Sequence, residues 1–358
     1  MRTLQDLGLS EKIPICVLGA TGSVGQRFVS LLAEHPWFEI RALMASGRSA
    51  GKSYAEAATW VQSAPLPDRV AGMVVQRCEP REDCPLAFSS LDSSVAGEIE
   101  SRFAEAGSLV VSNAKNHRMD ADVPLLVPEV NPTHIDLATQ QQHRGTIITN
   151  PNCSTIGVVL ALKPLFDAFG VEALSVVTLQ AVSGAGLPGV SSLQILDNVL
   201  PYIGGEEDKL ETESCKILGV LEEGAIRFAS ITVSAACNRV AVIDGHTFCV
   251  SVRLASQATP GELIDAWSGF SGEPQQLGLP SAPMRPVHYL TERVAPQPRL
   301  HRDLEQGMAV SIGRLRPCPV LDFKFVALSH NTVRGAAGGA ILGAELAVAR
   351  GFLPGASS

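Results

Sequence analysis

At 358 residues the chain is longer than one hydrophobic core usually organises, so two domains are the default expectation. Hydrophobic residues make up 46% of it and charged residues 18%, a globular balance that excludes a disordered or fibrous chain. A formal net charge of -8 excludes a general attraction for nucleic acid or an anionic membrane, and an acidic ligand would need a local cationic cluster.

No apolar run approaches the roughly 18 residues that span a bilayer. The first eleven residues carry Asp6 and Glu11 and hold no signal-peptide core, so a cytoplasmic protein is expected. Eight cysteines lie scattered without CxxC spacing, some inside apolar runs, as Cys16 and Cys249 do. That pattern predicts buried or reactive thiols, with neither a disulfide framework nor a metal site. The expected partners are small molecules, not nucleic acid or membrane.

In chain order, Ile13–Leu18 reads as a short buried strand, followed at once by the glycines of 19–25 and a helix over 26–33. A second strand is expected at 38–45, and apolar runs at 86–88, 109–112 and 146–149 continue the strand-and-crossover rhythm of a parallel sheet. Past Cys153 the pattern changes to longer alternating strands at 173–182, 247–255, 308–315 and 321–328. Alternation of that kind suits an antiparallel sheet with one wetter face. The stretch 268–298, rich in Pro, Gly and Gln, reads as connecting loops. From Asn331 the segment RGAAGGAILGAELAVAR predicts a helix of small residues that lies flat on a sheet and returns to the first domain. The fold class expected is α/β: an N-terminal Rossmann-like parallel-sheet domain (1–152 plus 331–358) and an α+β domain with a mostly antiparallel sheet (153–330).

GATGSVG at 19–25 falls between a predicted strand and a predicted helix, where bare glycines let a pyrophosphate approach backbone N–H groups at the helix start. An NAD site would place a carboxylate at the end of the second strand to hold the ribose 2′-OH. Between Glu39 and Glu56 no acid occurs, and MASGRSAGK offers Ser46, Arg48, Ser49 and Lys52 for a 2′-phosphate. NADP is therefore the cofactor expected.

NPNCSTIGVVLALKPL at 150–165 puts Cys153 after a Pro-Asn turn at the start of an apolar helix, where dipole and free N–H groups favour a thiolate. The same N–H groups, with the Asn152 side-chain amide, are expected to receive an oxyanion formed on attack at an acyl carbon. A partner base is needed, and eight histidines compete. In CNRVAVIDGHT, His246 follows Arg239 by seven residues, across a predicted short strand and an Asp-Gly turn. Spacing alone does not bring it to Cys153.

Taken in order, GATGSVGQRF, SNAKNHRMDADVPLLVPEVN, NPNCSTIG, QAVSGAGLPG, GGEEDKLETE, CNRVAVIDGH and HNTVRGAAGG closely resemble aspartate-β-semialdehyde dehydrogenases, from Gly19 to about Leu346. The resemblance implies that Cys153 forms the acyl-enzyme, that His246 is its acid/base, and that Asn152 completes the catalytic set. It assigns the substrate carboxylate to Arg239, whose fork donates two parallel hydrogen bonds. The substrate amino group goes to Glu206, with Glu207 one residue away as the alternative register. Lys209, Asn113, Arg118 and Lys115 would hold phosphate, and Gln180 would orient the acyl group. For the cofactor it implies Gly19, Thr21, Gly22, Ser23, Val24, Ser46, Arg48, Ser49, Ser89, Ser183, Gly184 and Asn331.

The reaction so implied is NADPH-dependent reductive dephosphorylation of β-aspartyl phosphate to aspartate semialdehyde, in the biosynthesis of lysine, threonine, methionine and isoleucine, by a homodimer or homotetramer. A related reading keeps the thioester but reduces malonyl-CoA. Glu206 discriminates, because a receptor for an amino group has no use in a substrate lacking one. N-acetylglutamyl-phosphate reductase fits the loop motifs less well. A catalytically silent nucleotide-binding paralogue is the non-enzyme alternative, and retention of Cys153, His246 and Arg239 together speaks against it.

Overall fold

Five short strands, β1 (Ile13–Leu18), β2 (Phe38–Met44), β3 (Leu86–Ser89), β4 (Leu109–Ser112) and β5 (Thr146–Thr149), pair in parallel in the order β2-β1-β3-β4-β5 in a computed structural model that describes residues 1–353. β3 and β4 are buried at every position, as strands covered on both faces must be. Because β1 is flanked by β2 and β3, the chain leaves it at the point where the strand order reverses. Such sheets bind ligands there, outside the carboxyl ends of the strands. Gly19, Ser46 and Asn113 lie just past the ends of β1, β2 and β4, which brings these candidate residues to that edge.

α1 (Ser23–Leu32) begins three residues before the expected start, inside the glycine motif itself. The glycines form the turn and the first helical residue is Ser23, so helix N–H groups lie within the motif. α2 (Ser93–Glu105) crosses between β3 and β4 and is capped by Asp92, whose carboxylate accepts the Ser94 N–H.

The second sheet has six strands: β6 (Val171–Gln180), β9 (Thr232–Arg239), β10 (His246–Leu254), β11 (Val287–Leu290), β12 (Val310–Pro317) and β13 (Phe323–Ser329), with a separate hairpin of β7 (Val220–Glu222) and β8 (Ala225–Arg227). Its order is β11-β12-β13-β10-β6-β9, antiparallel except for the pairs β11 with β12 and β6 with β9. The expectation of a mostly antiparallel sheet holds with those two parallel exceptions. Along β10 burial alternates, which gives one packed face and one wetter face. Cys249 lies exposed on the wetter face, not buried as its apolar neighbours suggested, whereas Cys16 is buried.

Two local expectations fail, and one strand went unpredicted. No strand bridges Arg239 and His246: Arg239 ends β9, His246 opens β10, and 240–245 is a loop. β9 escaped detection because TVSAACNR is small and polar, and half-exposed over most of its length. The presumed loops of 268–298 contain β11 and a short helix, Glu273–Leu277.

α3 (Cys153–Phe169) follows β5, and its Val158 and Leu162 share a core with Val250 and Phe325 of the second sheet. α4 (Glu206–Ile217) packs beside it, and on the same core α5 (Pro260–Ser268) donates from the Trp267 indole to the Ala161 carbonyl at 2.8 Å. After β13 a π-helical turn, Val333–Ala337, leads into α6 (Gly338–Ala349), which is buried almost throughout. Ile341 and Leu342 of α6 share a core with Val17, Phe28 and Phe88, so the last helix does return to the parallel sheet. At Arg334 the π turn is pinned by a bidentate pair with Glu129, both side chains fully buried.

Candidate active site

Chain geometry at the start of α3 decides where the sulfur sits. Asn152 is the N-cap: its Oδ1 accepts the N–H groups of Ser154 at 2.9 Å and Thr155 at 3.4 Å, which fixes the first turn that carries Cys153. The Asn152 amide nitrogen donates to both carboxylate oxygens of Glu206, at 3.0 and 2.9 Å. Capping and Glu206 together commit this side chain, which corrects the expectation that it receives an oxyanion. Among the described residues the N–H of Cys153 itself has no acceptor and is the free donor of that turn.

Half-buried Cys153 faces a cavity of about 290 Å³ whose lining includes Asn113, Arg118, Glu206, Ser183 and Asn331. Its Sγ lies 3.3 Å from Nε2 of His246, which is wholly buried at the first position of β10. Burial pushes the Cys153 thiol up to about 12, reinforced by the Glu206 carboxylate and opposed by Arg239, Arg118 and Lys209. The sequence predicts a thiolate favoured by the helix start; in the ligand-free cavity desolvation wins, and the resting sulfur carries its proton.

Glu206 opens α4 and faces the cavity. Burial works against its charge, but the Lys209 ammonium at 2.8 Å, the Asn152 amide and the Gln180 amide at 3.4 Å hold it below the ordinary carboxylate value. Glu207 points away and accepts the Cys237 N–H at 2.9 Å, so Glu206 is the register that reaches the site. Gln180, at the end of β6, and Arg239, at the parallel end of β9, are adjacent in register and both buried. Arg239 donates from Nη1 to the Ala181 carbonyl at 2.8 Å. A Cβ on Gly184 would come within 2.8 Å of that same Nη1, so glycine is what lets the 182–186 turn lie against the guanidinium.

Arg118 is buried and donates to the Asn113 carbonyl at 2.7 Å and to Glu213 at 2.8 Å. Asn113 follows β4, and its Oδ1 accepts from Asn150 at 2.9 Å. Lys115 is exposed and does not line the cavity. Glu213 was not foreseen. Seven residues after Glu206, it lies on the same face of α4 and accepts the Asn152 backbone N–H at 2.7 Å; that helical spacing inside GGEEDKLETE was the available signal.

At the parallel-sheet edge, Gly19 has φ +76° and a Cβ there would meet the Ser90 carbonyl oxygen at 2.7 Å. α1 has no side-chain cap, and a Cβ at Gly22 would meet nothing closer than 3.4 Å, so the approach to its first N–H groups is open. Thr21 belongs to this turn; Val24 lines the Cys153 cavity, and Ser23 lines an adjoining cavity of about 280 Å³ that shares Ser183, Gly186 and Thr332 with it. Ser46 and Arg48 are exposed beyond β2, Ser49 is half-exposed beside them, and no carboxylate stands between Glu39 and Glu56. A dinucleotide bearing an extra phosphate fits this donor set. Ser89 does not take part through its hydroxyl, which is buried and given to Glu100 at 2.5 Å; Ser90, next to Gly19, is the half-buried serine at that edge. Asn331 accepts the Gly245 N–H and donates to Ser183 Oγ, each at 2.8 Å, and so ties the 182–186 turn to the start of the π turn.

Family models described as the NAD binding domain and the dimerisation domain of semialdehyde dehydrogenase match residues 14–138 and 162–334. The aspartate-semialdehyde dehydrogenase of Schizosaccharomyces pombe is 50% identical over 350 residues, covering 94% of this chain and 98% of the relative. That of Saccharomyces cerevisiae is 48% identical, with 94% and 98% covered. A crystal structure of the Candida albicans enzyme with NADP matches with a TM-score of 0.88 at 49% identity, over 94% of this chain and 99% of that one. Aspartate semialdehyde dehydrogenase II of Vibrio cholerae, complexed with ASA, matches at 0.77 and 29% identity, over 95% and 99%. The chain therefore belongs to the aspartate-semialdehyde dehydrogenase family.

Proposed function

We propose that the chain is an NADP-dependent aspartate-semialdehyde dehydrogenase that converts β-aspartyl phosphate to aspartate semialdehyde through a thioester on Cys153. The observation that carries this is the contact of Cys153 Sγ with His246 Nε2 at 3.3 Å, with Cys153 and Glu206 both lining a cavity that reaches Val24 of α1 and the 182–186 turn. Gly19, Thr21, Gly22, Ser23 and Val24 would hold the pyrophosphate end of NADP, Ser46, Arg48, Ser49 and Lys52 its 2′-phosphate, and Ser183, Gly184 and Asn331 its nicotinamide end. NADPH supplies, when bound, the hydride that reduces the acyl carbon.

The chain's own residues do the rest. Arg239 grips the substrate carboxylate and Glu206, ionised, receives its ammonium, which aligns the β-acyl carbon with the sulfur; Gln180 steadies the acyl group. The Cys153 thiol attacks that carbon. Arg118, Asn113 and Lys209 stabilise the departing phosphate, and the Cys153 N–H and the His246 imidazole face the oxygen that gains charge. An ionised Glu206 favours a substrate bearing an amine over malonyl-CoA.

The second sheet would form the subunit contact of a homodimer or homotetramer. The domains divide at 1–152 with 331–358 against 153–330, of which 354–358 lie outside the described residues. Among the described residues no helix is long and apolar enough to cross a membrane, and a cytoplasmic location is proposed.

Purified protein given aspartate semialdehyde, phosphate and NADP should generate NADPH absorbance, with malonyl-CoA and NADPH as the comparison. Retention of that activity by Cys153→Ala would exclude the thioester, and a faster rate with malonyl-CoA would exclude the substrate assignment.

A further inference from the structure

Glu100 is a fully buried acid that the chemistry above does not use. It projects from α2 toward the carboxyl ends of β3 and β4, whose last residues, Ser89 and Ser112, are partners in register. Paired residues of a parallel sheet turn their side chains to the same face. Both hydroxyls accordingly donate to one oxygen of Glu100, Oε1, from Ser89 at 2.5 Å and from Ser112 at 2.8 Å. A hydroxyl has one proton, so Ser112, committed to Glu100, presents its lone pairs elsewhere and accepts the Ala114 N–H at 3.0 Å. The carbonyl of that same peptide, on Asn113, accepts the Arg118 guanidinium at 2.7 Å. One peptide plane is thus held between the Ser112 hydroxyl and Arg118. Ser89 adds its carbonyl, which accepts the Asn113 N–H at 3.0 Å and the Asn113 side-chain amide at 3.4 Å.

The second oxygen of Glu100, Oε2, is buried and takes no hydrogen bond among the described residues; His117 Nε2 stands 3.9 Å from it. Burial pushes this carboxyl above its ordinary value, opposed by the two hydroxyls and by His117 and Arg118. A buried acid works against stability where an apolar side chain of similar volume would not, so packing alone gives no reason for a glutamate here. Resting on the assignment of phosphate to Asn113 and Arg118, we propose that Glu100 is a positioning residue for the phosphate site. Through the Ser89 and Ser112 hydroxyls it sets the Asn113–Ala114 peptide, and through that peptide the aim of the Arg118 guanidinium. It touches neither substrate nor cofactor. The glycine turn does not depend on it in the same way, because Ser90 is tied to β1 by its own backbone, its N–H donating to the Leu18 carbonyl at 2.9 Å. Its effect therefore belongs to phosphate rather than to NADP.

Initial rates in the oxidative direction, with phosphate, aspartate semialdehyde and NADP varied in turn, test this. Glu100→Leu removes the acceptor of both hydroxyls and is expected to raise the KM for phosphate about tenfold, the scale of one lost buried hydrogen bond, with the other two KM values within about twofold of wild type. Glu100→Gln keeps an oxygen to which both hydroxyls can donate, and should bring the phosphate KM back to within about threefold of wild type. Ser112→Ala deletes only the hydroxyl between Glu100 and the Ala114 N–H, and should repeat the rise in phosphate KM; it decides the matter if Glu100→Leu does not fold. An unchanged phosphate KM in Ser112→Ala would overturn the proposal, as would equal rises in all three KM values or a Glu100→Gln variant as impaired as Glu100→Leu. Arg118→Ala with a wild-type phosphate KM would instead remove the phosphate assignment beneath it, and wild-type protein with no phosphate-dependent rate would sink the reaction itself, so the failures are distinguishable.

Discussion

Glu213 reaches Asn152 through the backbone: one carboxylate oxygen accepts the Asn152 N–H at 2.7 Å while the other accepts the Arg118 guanidinium at 2.8 Å. The residue before the nucleophile and the arginine assigned to phosphate therefore share one buried anion. Three residues on, Lys216 donates to the carbonyls of Arg118, Asp120 and Val123 at 2.7, 2.9 and 3.0 Å, so α4 grips the Arg118 loop as well as its side chain. A glutamine at 213 keeps the shape but must turn an NH2 group toward one of two donors. Glu213→Gln is expected to lower kcat/KM by roughly 10- to 100-fold, the equivalent of losing one or two buried charge-assisted hydrogen bonds. The KM for phosphate in the oxidative direction should carry much of the loss. Unchanged phosphate kinetics in a folded variant would show that the bridge is structural only.

How much of this was legible in the sequence depends on how local each signal is. The parallel sheet and the glycine turn were readable because each is built from a short contiguous pattern: an apolar run, a turn, a helix. Cys153 was readable for the same reason, since Asn152 and Cys153 make a helix start by themselves. β9 was not, because its small, half-exposed residues show no clear period, and with it went any geometric reason to bring Arg239 beside Gln180. The raised thiol pKa depends on burial by segments far apart in the chain, among them the 182–186 turn and the π turn after β13. No local pattern encodes that desolvation, and the dipole argument alone pointed the other way.

Reactivity of the free thiol follows from its protonation. With the Cys153 thiol at about 12, the thiolate fraction of the ligand-free enzyme grows about tenfold per pH unit well past the ordinary cysteine value. Alkylation by a neutral haloacetamide, followed by mass mapping of Cys153, should keep accelerating above pH 9. A rate at Cys153 that levels off near neutrality would mean that the helix start had ionised the sulfur after all.

Gly184 is predicted to be intolerant of even one methyl group. The Cβ of Gly184→Ala would stand 2.8 Å from Arg239 Nη1 and 3.2 Å from the His246 ring. Since Nη1 is already held by the Ala181 carbonyl, yielding costs that hydrogen bond, about 1 to 3 kcal/mol. The loss should fall on substrate KM and kcat, together with a drop of a few degrees in thermal midpoint from the lost hydrogen bond. A variant with wild-type kinetics would show that the turn stands farther from the guanidinium in solution.

Acid sensitivity should come in part from His134. Its Nδ1 lies 2.8 Å from the Asn131 amide nitrogen, which can only donate there because Asn131 Oδ1 already accepts the Val127 N–H; its Nε2 donates to the Gly219 carbonyl at 3.1 Å. Burial, opposed by that carbonyl and aided by Lys216 and Lys163, lowers the ring to about 4. The folded state then binds the proton less readily than the unfolded chain, so the unfolded form is favoured wherever it is protonated and the fold is not. Stability is full above the ordinary value of 6.5 and falls as pH drops from there toward 4, by ~3 kcal/mol in all for this group. His330, also lowered to about 4 by burial, adds to the loss in the same window, and His246, lowered well below the ordinary value by burial, adds to it as well. Chemical denaturation of wild type and His134→Gln at a series of pH values separates the two, since the glutamine cannot titrate. The variant should be less stable at neutral pH yet lose about 3 kcal/mol less on acidification through the window. Parallel curves for the two proteins would place the acid sensitivity on other groups.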